Sequence, residues 1–163
     1  MKTSHRIIKA KTMRVNCHWG EYDLTLGCIN TEAKRIFTCG HCHSLAIVIH
    51  KITMWKYVTF LELEPGEYES RLKEEYASEL IPQHVAILTP NRKVLDIYGI
   101  SPLKDLKDKW GYTLYPPDYF VESDFDGGYL KHDIKMATPF AEVLLQRFHT
   151  AFPSIKISKD FYG

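Results

Sequence analysis

Two thiols and two imidazoles stand together at Cys39-Gly40-His41-Cys42-His43, immediately ahead of the most apolar short run of the chain, Leu45-Ala46-Ile47-Val48-Ile49. Apolar residues on every side of that run predict a buried helix beginning near Cys42, although three β-branched residues in succession would also suit a strand. The positive end of a helix and its unpaired N–H groups favour thiolate over thiol, so Cys42 or Cys39 is a candidate nucleophile. A thiolate nucleophile needs a base within hydrogen-bond reach, and the base needs a third group to fix its tautomer. His84 opens one strand-like run and Asp96 lies in the next, Val94–Tyr98, with Pro90-Asn91 as turn residues between them and Gly99 at the end. Strand side chains alternate with period two. A turn that closes with three or five residues, or carries a bulge, therefore points His84 and Asp96 to one face, whereas an even loop separates them. The residues alone leave that register open. The competing reading is a half-buried strand histidine and a turn-facing acid.

The segments Gly40-His41-Cys42-His43-Ser44-Leu45-Ala46, His50, His84-Val85-Ala86 and Leu95-Asp96-Ile97-Tyr98-Gly99 together resemble the papain-like and transglutaminase-like cysteine enzymes. The order is also similar to that of the arylamine N-acetyltransferases, and to uncharacterised bacterial and phage proteins with a Gly-x-Cys-His-x-Leu-Ala helix start. The likeness covers roughly Phe37 to Trp110 and leaves both ends unexplained. It implies an α+β fold in which a buried Cys-bearing helix packs on an antiparallel sheet. It also implies Cys42 as nucleophile, His84 as general base and acid, and Asp96 as orienter. The implied activity is cleavage or transfer at an amide, ester or thioester bond through an acyl-enzyme, resolved by water or an acceptor amine, with no cofactor. The oxyanion-hole side chain usual in those families has no recognisable counterpart here.

Two other constellations compete. Cys39-Gly40-His41-Cys42 is similar to the redox motif of protein disulfide isomerases, and Pro82 in front of the next strand resembles the proline of a thioredoxin-like α/β fold. In that reading Cys39 attacks, Cys42 resolves and Pro82 is a cis-proline facing them. Such a fold needs a buried parallel strand just before the motif, and Thr31–Thr38 is interrupted by Glu32, Lys34 and Arg35. A metal site drawn from Cys17, Cys28, Cys39, Cys42, His18, His41, His43 and His50 has only one close cysteine pair, where zinc sites of paired short spacings have two. His43 and His50 read as packing or hydrogen-bonding histidines. Asp124-Phe125-Asp126-Gly127-Gly128 reads as a turn, without the twelve-residue pattern of a calcium loop. Tyr112, Tyr115, Tyr119 and Phe120 suit ordinary loop packing better than a substrate cleft. A non-catalytic binding protein on the cysteine-enzyme scaffold is a third class of function.

The rest of the chain sets the frame. Its 163 residues, 45% hydrophobic and 25% charged, suit a single domain over residues 1–163 with a sizeable core. Twenty-one basic against 20 acidic residues leave a net charge of +1, so no global field draws the protein to nucleic acid or an anionic membrane. No apolar run has the length of a membrane span, and residues 1–11 lack the apolar core of a signal peptide, which predicts a cytoplasmic protein with a protein or small-molecule substrate. In such a protein four cysteines are thiols, ligands or a redox pair rather than a disulfide framework. Weak alternation over Arg6–Asn16 and again over Tyr22–Cys28 predicts strands, and Asn30 predicts a cap for a short helix through Phe37. Tyr57–Glu64 predicts a strand, Glu67–Leu80 an amphipathic helix, Ser101–Trp110 a capped short helix, Gly111–Lys131 mostly loop, and Thr138–Thr150 a last helix.

Overall fold

The computed structural model describes residues 10–17, 20–62, 82–116, 121 and 133–157. Strands β1 (Thr12–Cys17) and β2 (Gly20–Thr25) form an antiparallel hairpin apart from the main sheet, with Val15 and Leu24 turned into the core. On its outer face Arg14 pairs with Glu21 at 3.3 Å and Asp23 at 3.1 Å, contacts whose exposure makes them worth little. Helix α1 (Thr31–Ile36) starts as expected, because the Asn30 side chain accepts the Ala33 N–H at 3.0 Å.

Helix α2 (Cys42–Thr53) is buried at every position from Cys42 to His50. Its run of Ile47, Val48 and Ile49 is helical despite β-branching because packing on all sides outweighs a propensity of a few tenths of a kcal/mol. Met54 ends the helix in the left-handed region at φ 59°, returning its N–H to the His50 carbonyl. Strands β3 (Lys56–Leu61), β4 (His84–Leu88), β5 (Lys93–Asp96), β6 (Gly99–Pro102) and β7 (Tyr112–Leu114) make a sheet of order β6-β5-β4-β3-β7, every neighbouring pair antiparallel. Helix α3 (Leu103–Trp110) lies between β6 and β7, and helix α4 (Ile134–Ala151) closes the described chain.

Alternation along the strands sorts the core into two layers. Tyr57, Val85, Ile87 and Leu95 face α2 and α4, where Leu45, Ile49, Phe140 and Phe148 complete the larger cluster. Val58, Phe60, Ala86 and Val94 face the other way, onto Leu103, Leu106 and Trp110 of α3. The architecture is α+β, helices packed on an antiparallel sheet.

Several expectations change. The expected Ser101–Trp110 helix begins only at Leu103, since Ser101 and Pro102 pair with β5. Part of the expected loop after Gly111 is strand β7, paired with β3. Gly111 permits this at φ 97°, where a Cβ would meet the Leu61 carbonyl oxygen at 2.5 Å. The last helix starts at Ile134 rather than near Thr138, capped by Asp133, which accepts the Met136 N–H at 2.8 Å; Pro139 inside it hides that first turn from propensity. The thioredoxin-like alternative is corrected, because helix α1 stands before Cys39 where that fold needs a parallel strand, and among the described residues no strands pair in parallel. The Glu67–Leu80 helix, Asp124–Gly128, Tyr119, Phe120, His18 and the residue before Pro82 lie outside the described residues. No helix among the described residues is long and apolar enough to cross a membrane.

Candidate active site

Cys42 is the first residue of α2 and is 8% exposed. The N-cap, His41, makes no side-chain capping bond to the helix; its Nε2 instead pairs with the Asn16 carbonyl of β1 at 2.8 Å. The sulfur therefore sits at the positive end of a helix that has neither a side-chain cap nor an acidic residue in its first turn.

His84 is the first residue of β4 and Asp96 the last of β5, which places both at one end of the antiparallel pair. Five residues separate the paired Leu88 and Val94, an odd number. The turn is a three-residue loop with a bulge. The Arg92 N–H returns to the Thr89 carbonyl at 2.9 Å, the Thr89 N–H bonds the Lys93 carbonyl at 2.9 Å, and Arg92 takes φ 61°. Continuing the register sets Asp96 opposite Ala86 and on the same face as His84. The outcome is a bond of 2.9 Å from His84 Nε2 to Asp96 Oδ2. Asp96 Oδ1 accepts the Tyr98 N–H at 2.8 Å, so both carboxylate oxygens are held.

The His84 ring, 1% exposed, lies parallel to Trp110 of α3 with centroids 4.7 Å apart, and beside Phe60 at 6.1 Å. With Nε2 committed to Asp96, Nδ1 is the nitrogen left for the thiol. It makes no well-aligned hydrogen bond, although His84 and Cys42 line one crevice and each shifts the other's charge. His43, the next residue of α2, is also within hydrogen-bonding reach of the sulfur. Its ring is 3% exposed and stacks on His41 at 6.3 Å and 15°.

These contacts set the charges. Burial pushes the Cys42 thiol up, but hydrogen bonds from His43 and His84 and their charges outweigh it, and the pKa is lowered to about 6. Burial pushes His84 down, but its bonds to Asp96 and Cys42 outweigh that, and its pKa is raised to about 9. A thiolate beside an imidazolium is the form favoured between those values. A narrow crevice lined by Phe37, Cys42, Leu45, His84 and Asp96 joins the thiol to the imidazole and the carboxylate.

Comparison with family models, with curated proteins and with solved structures finds no match for the chain. The chemistry of the site rests on its own atoms.

The structure brings Cys42, His84 and Asp96 together and joins none of the four cysteines in a disulfide. Cys17, Cys28 and Cys39 are free, and Cys39 lies in the turn after α1 rather than in a bond to Cys42. Among the described residues no group of three or more His, Cys, Asp or Glu side chains is placed to hold a metal ion. His50 packs on Tyr57 with centroids 4.4 Å apart, its Nδ1 bonded to the Trp55 carbonyl at 2.6 Å, a role inside the core. Tyr112 and Tyr115 are exposed. Two neighbours of the site were missed by sequence reasoning. His43 carries a signal, its adjacency to Cys42 at a helix start, whereas Trp110 carries none, because only tertiary folding brings it to His84.

Proposed function

We propose that the protein is a papain-like or transglutaminase-like cysteine hydrolase or acyl transferase, acting on an amide, ester or thioester bond. The observation that carries this reading is the bond from His84 Nε2 to an Asp96 whose other oxygen is anchored on Tyr98, with Cys42 at a helix N-terminus beside His84. Chain order and element type, Cys on a helix, then His and Asp on adjacent strands, support the same family resemblance.

The Cys42 thiolate attacks the carbonyl carbon, and the carbonyl π pair moves onto oxygen. As the tetrahedral species collapses, the His84 imidazolium gives its proton to the leaving group, and an acyl thioester remains on Cys42. Water or an amine then attacks that thioester while neutral His84 takes its proton, and the thiolate–imidazolium pair returns. Asp96 holds the ring with Nδ1 toward sulfur and stabilises its charged form without being protonated. The Cys42 N–H, first amide of α2, is one donor for the developing oxyanion.

The narrowness of the crevice favours a second reading, a binding protein that retains the scaffold. One experiment separates the two. Intact mass and peptide mapping after incubation with p-nitrophenyl acetate should show one acetyl group on Cys42, absent from Cys42→Ser and His84→Ala. Alkylation of Cys42 without any acylation would leave the binding reading.

A further inference from the structure

We propose that Lys34 and Lys109, held together on the Tyr98 ring, select substrates that carry a carboxylate on the leaving group, such as a peptide with an acidic residue after the scissile amide. The inference rests on the acyl-transfer reading and names the substrate class of that same site.

Three segments next to the catalytic groups each contribute one side chain. Tyr98 follows β5, and its N–H anchors Asp96 Oδ1 at 2.8 Å. Lys34 belongs to α1, the helix just before α2, and Lys109 precedes Trp110 at the end of α3. Lys34 Nζ stands 5.5 Å from the centroid of the Tyr98 ring and Lys109 Nζ 4.5 Å from it. Lys109 Nζ is also 4.9 Å from the centre of the Trp110 ring, which stacks on His84 with centroids 4.7 Å apart. Two short steps therefore join an ammonium to the imidazole that protonates the leaving group.

Charge gives the arrangement its use. Two like charges brought to one ring repel each other, and their attraction to the ring's electron-rich face offsets that only in part. Asp105 and Asp108 share α3 with Lys109, and Glu32 shares α1 with Lys34, yet among the described residues no carboxylate pairs with either ammonium. Tyr98 is 51% exposed, so the pair of cations is open to an incoming anion. A carboxylate placed there meets both charges at once. The acyl half of a substrate stays on Cys42 while the departing half takes its proton from His84. Lys109 stands on the ring that covers His84, so the charge selected belongs to the departing half.

The test acetylates Cys42 with p-acetoxybenzoate, whose departing phenol carries a carboxylate, and with its methyl ester, whose departing phenol carries no charge. Intact mass follows acetyl transfer. The readout is the ratio of the two rates, carboxylate over methyl ester, in which any general change of the site cancels. At low salt we expect this ratio to fall about 10-fold in the double variant Lys34→Gln/Lys109→Gln and less in each single variant. Lys34→Arg/Lys109→Arg, which preserves both charges, should keep most of it. Added salt should lower the wild-type ratio toward that of the glutamine variant, because exposed charges are screened. Acetylation by the methyl ester also reports a folded site. A glutamine variant with the wild-type ratio, or an arginine variant that loses the ratio as fully as the glutamine one, would overturn the assignment. Wild type acetylated by neither ester would instead remove the acyl-transfer reading itself, and this inference with it.

Discussion

The Trp110 indole lies flat over the His84 imidazole, 18° from parallel with centroids 4.7 Å apart, and so covers a ring whose Nε2 is engaged by a buried carboxylate. Water kept away from that bond leaves the carboxylate's pull on the imidazolium unscreened. Trp110→Ala should cost about 2 kcal/mol of stability, below the about 3–5 typical of a fully buried Trp, because Trp110 is half-buried. Thermal melts read that loss. The same variant should move the onset of Cys42 alkylation to higher pH, with Trp110→Phe restoring most of it. An unchanged onset would reduce Trp110 to packing.

Reactivity should depend on pH with a definite sign. The Cys42 pKa is lowered from its ordinary 9.0 to about 6, so iodoacetamide labelling should rise through about pH 6 rather than through the range of a free thiol. His84 loses its proton near pH 9, so acyl transfer should fall above that value as the leaving group loses its acid. A bell-shaped profile with those two limbs reports the pair as a unit. In His84→Ala the lower limb should move up and the upper limb disappear. Labelling of Cys17 and Cys28 serves as the internal comparison, and uniform slow labelling of all four cysteines would count against the site.

Asp96→Asn tests the two-sided hold on the carboxylate. Oδ2 accepts from His84 and Oδ1 from the Tyr98 N–H, and an amide has only one oxygen to offer. Its NH₂ must then face a donor on one side. The variant should lose about 1–3 kcal/mol of stability through the unsatisfied buried group. It should also lower acyl transfer, though less than His84→Ala, and shift the alkaline limb downward as the charge supporting the imidazolium is removed. A melt and a pH profile on one sample check both effects.

The neighbouring thiol should be dispensable. Cys39 is a free, half-buried residue of the turn after α1, and α1 occupies the place of a parallel strand. Cys39→Ser should keep most acylation, Cys42→Ser should abolish it, and the reduced protein should be the active form. Insulin-type disulfide reduction lost equally in both variants would restore an oxidoreductase assignment.

Much of the site was legible in local pattern. Cys42 before an all-apolar run and Asn30 three residues before Ala33 are short-range signals, and both elements begin where those residues place them. The side chosen by Asp96 was not legible, because it depends on Arg92 adopting φ 61°, a conformation that nothing in the Arg side chain favours. Strand β7 was hidden for a similar reason. Its three residues pair only because Gly111 lets the chain pass close to Leu61, a contact between segments far apart in sequence. Trp110 read as the tail of a helix, and its position over His84 needs the sheet between them to exist first.

The bulged turn between β4 and β5 acts on the site through the pairing it sets and not through its length. Residues directly opposite each other in an antiparallel pair share a face, so any loop that keeps Leu88 against Val94 leaves the carboxylate opposite Ala86 and on the side of the imidazole. A slip of that pairing by one residue would instead send Asp96 to the opposite side of the sheet. His84 would then keep its place on β4 but lose its anchor, leaving an imidazole buried against Phe60 and Trp110 with no acid to hold its charge. Insertions and deletions in this surface hairpin should therefore be tolerated only where they hold Leu88 against Val94, a constraint imposed on an exposed loop by an ion pair it never touches.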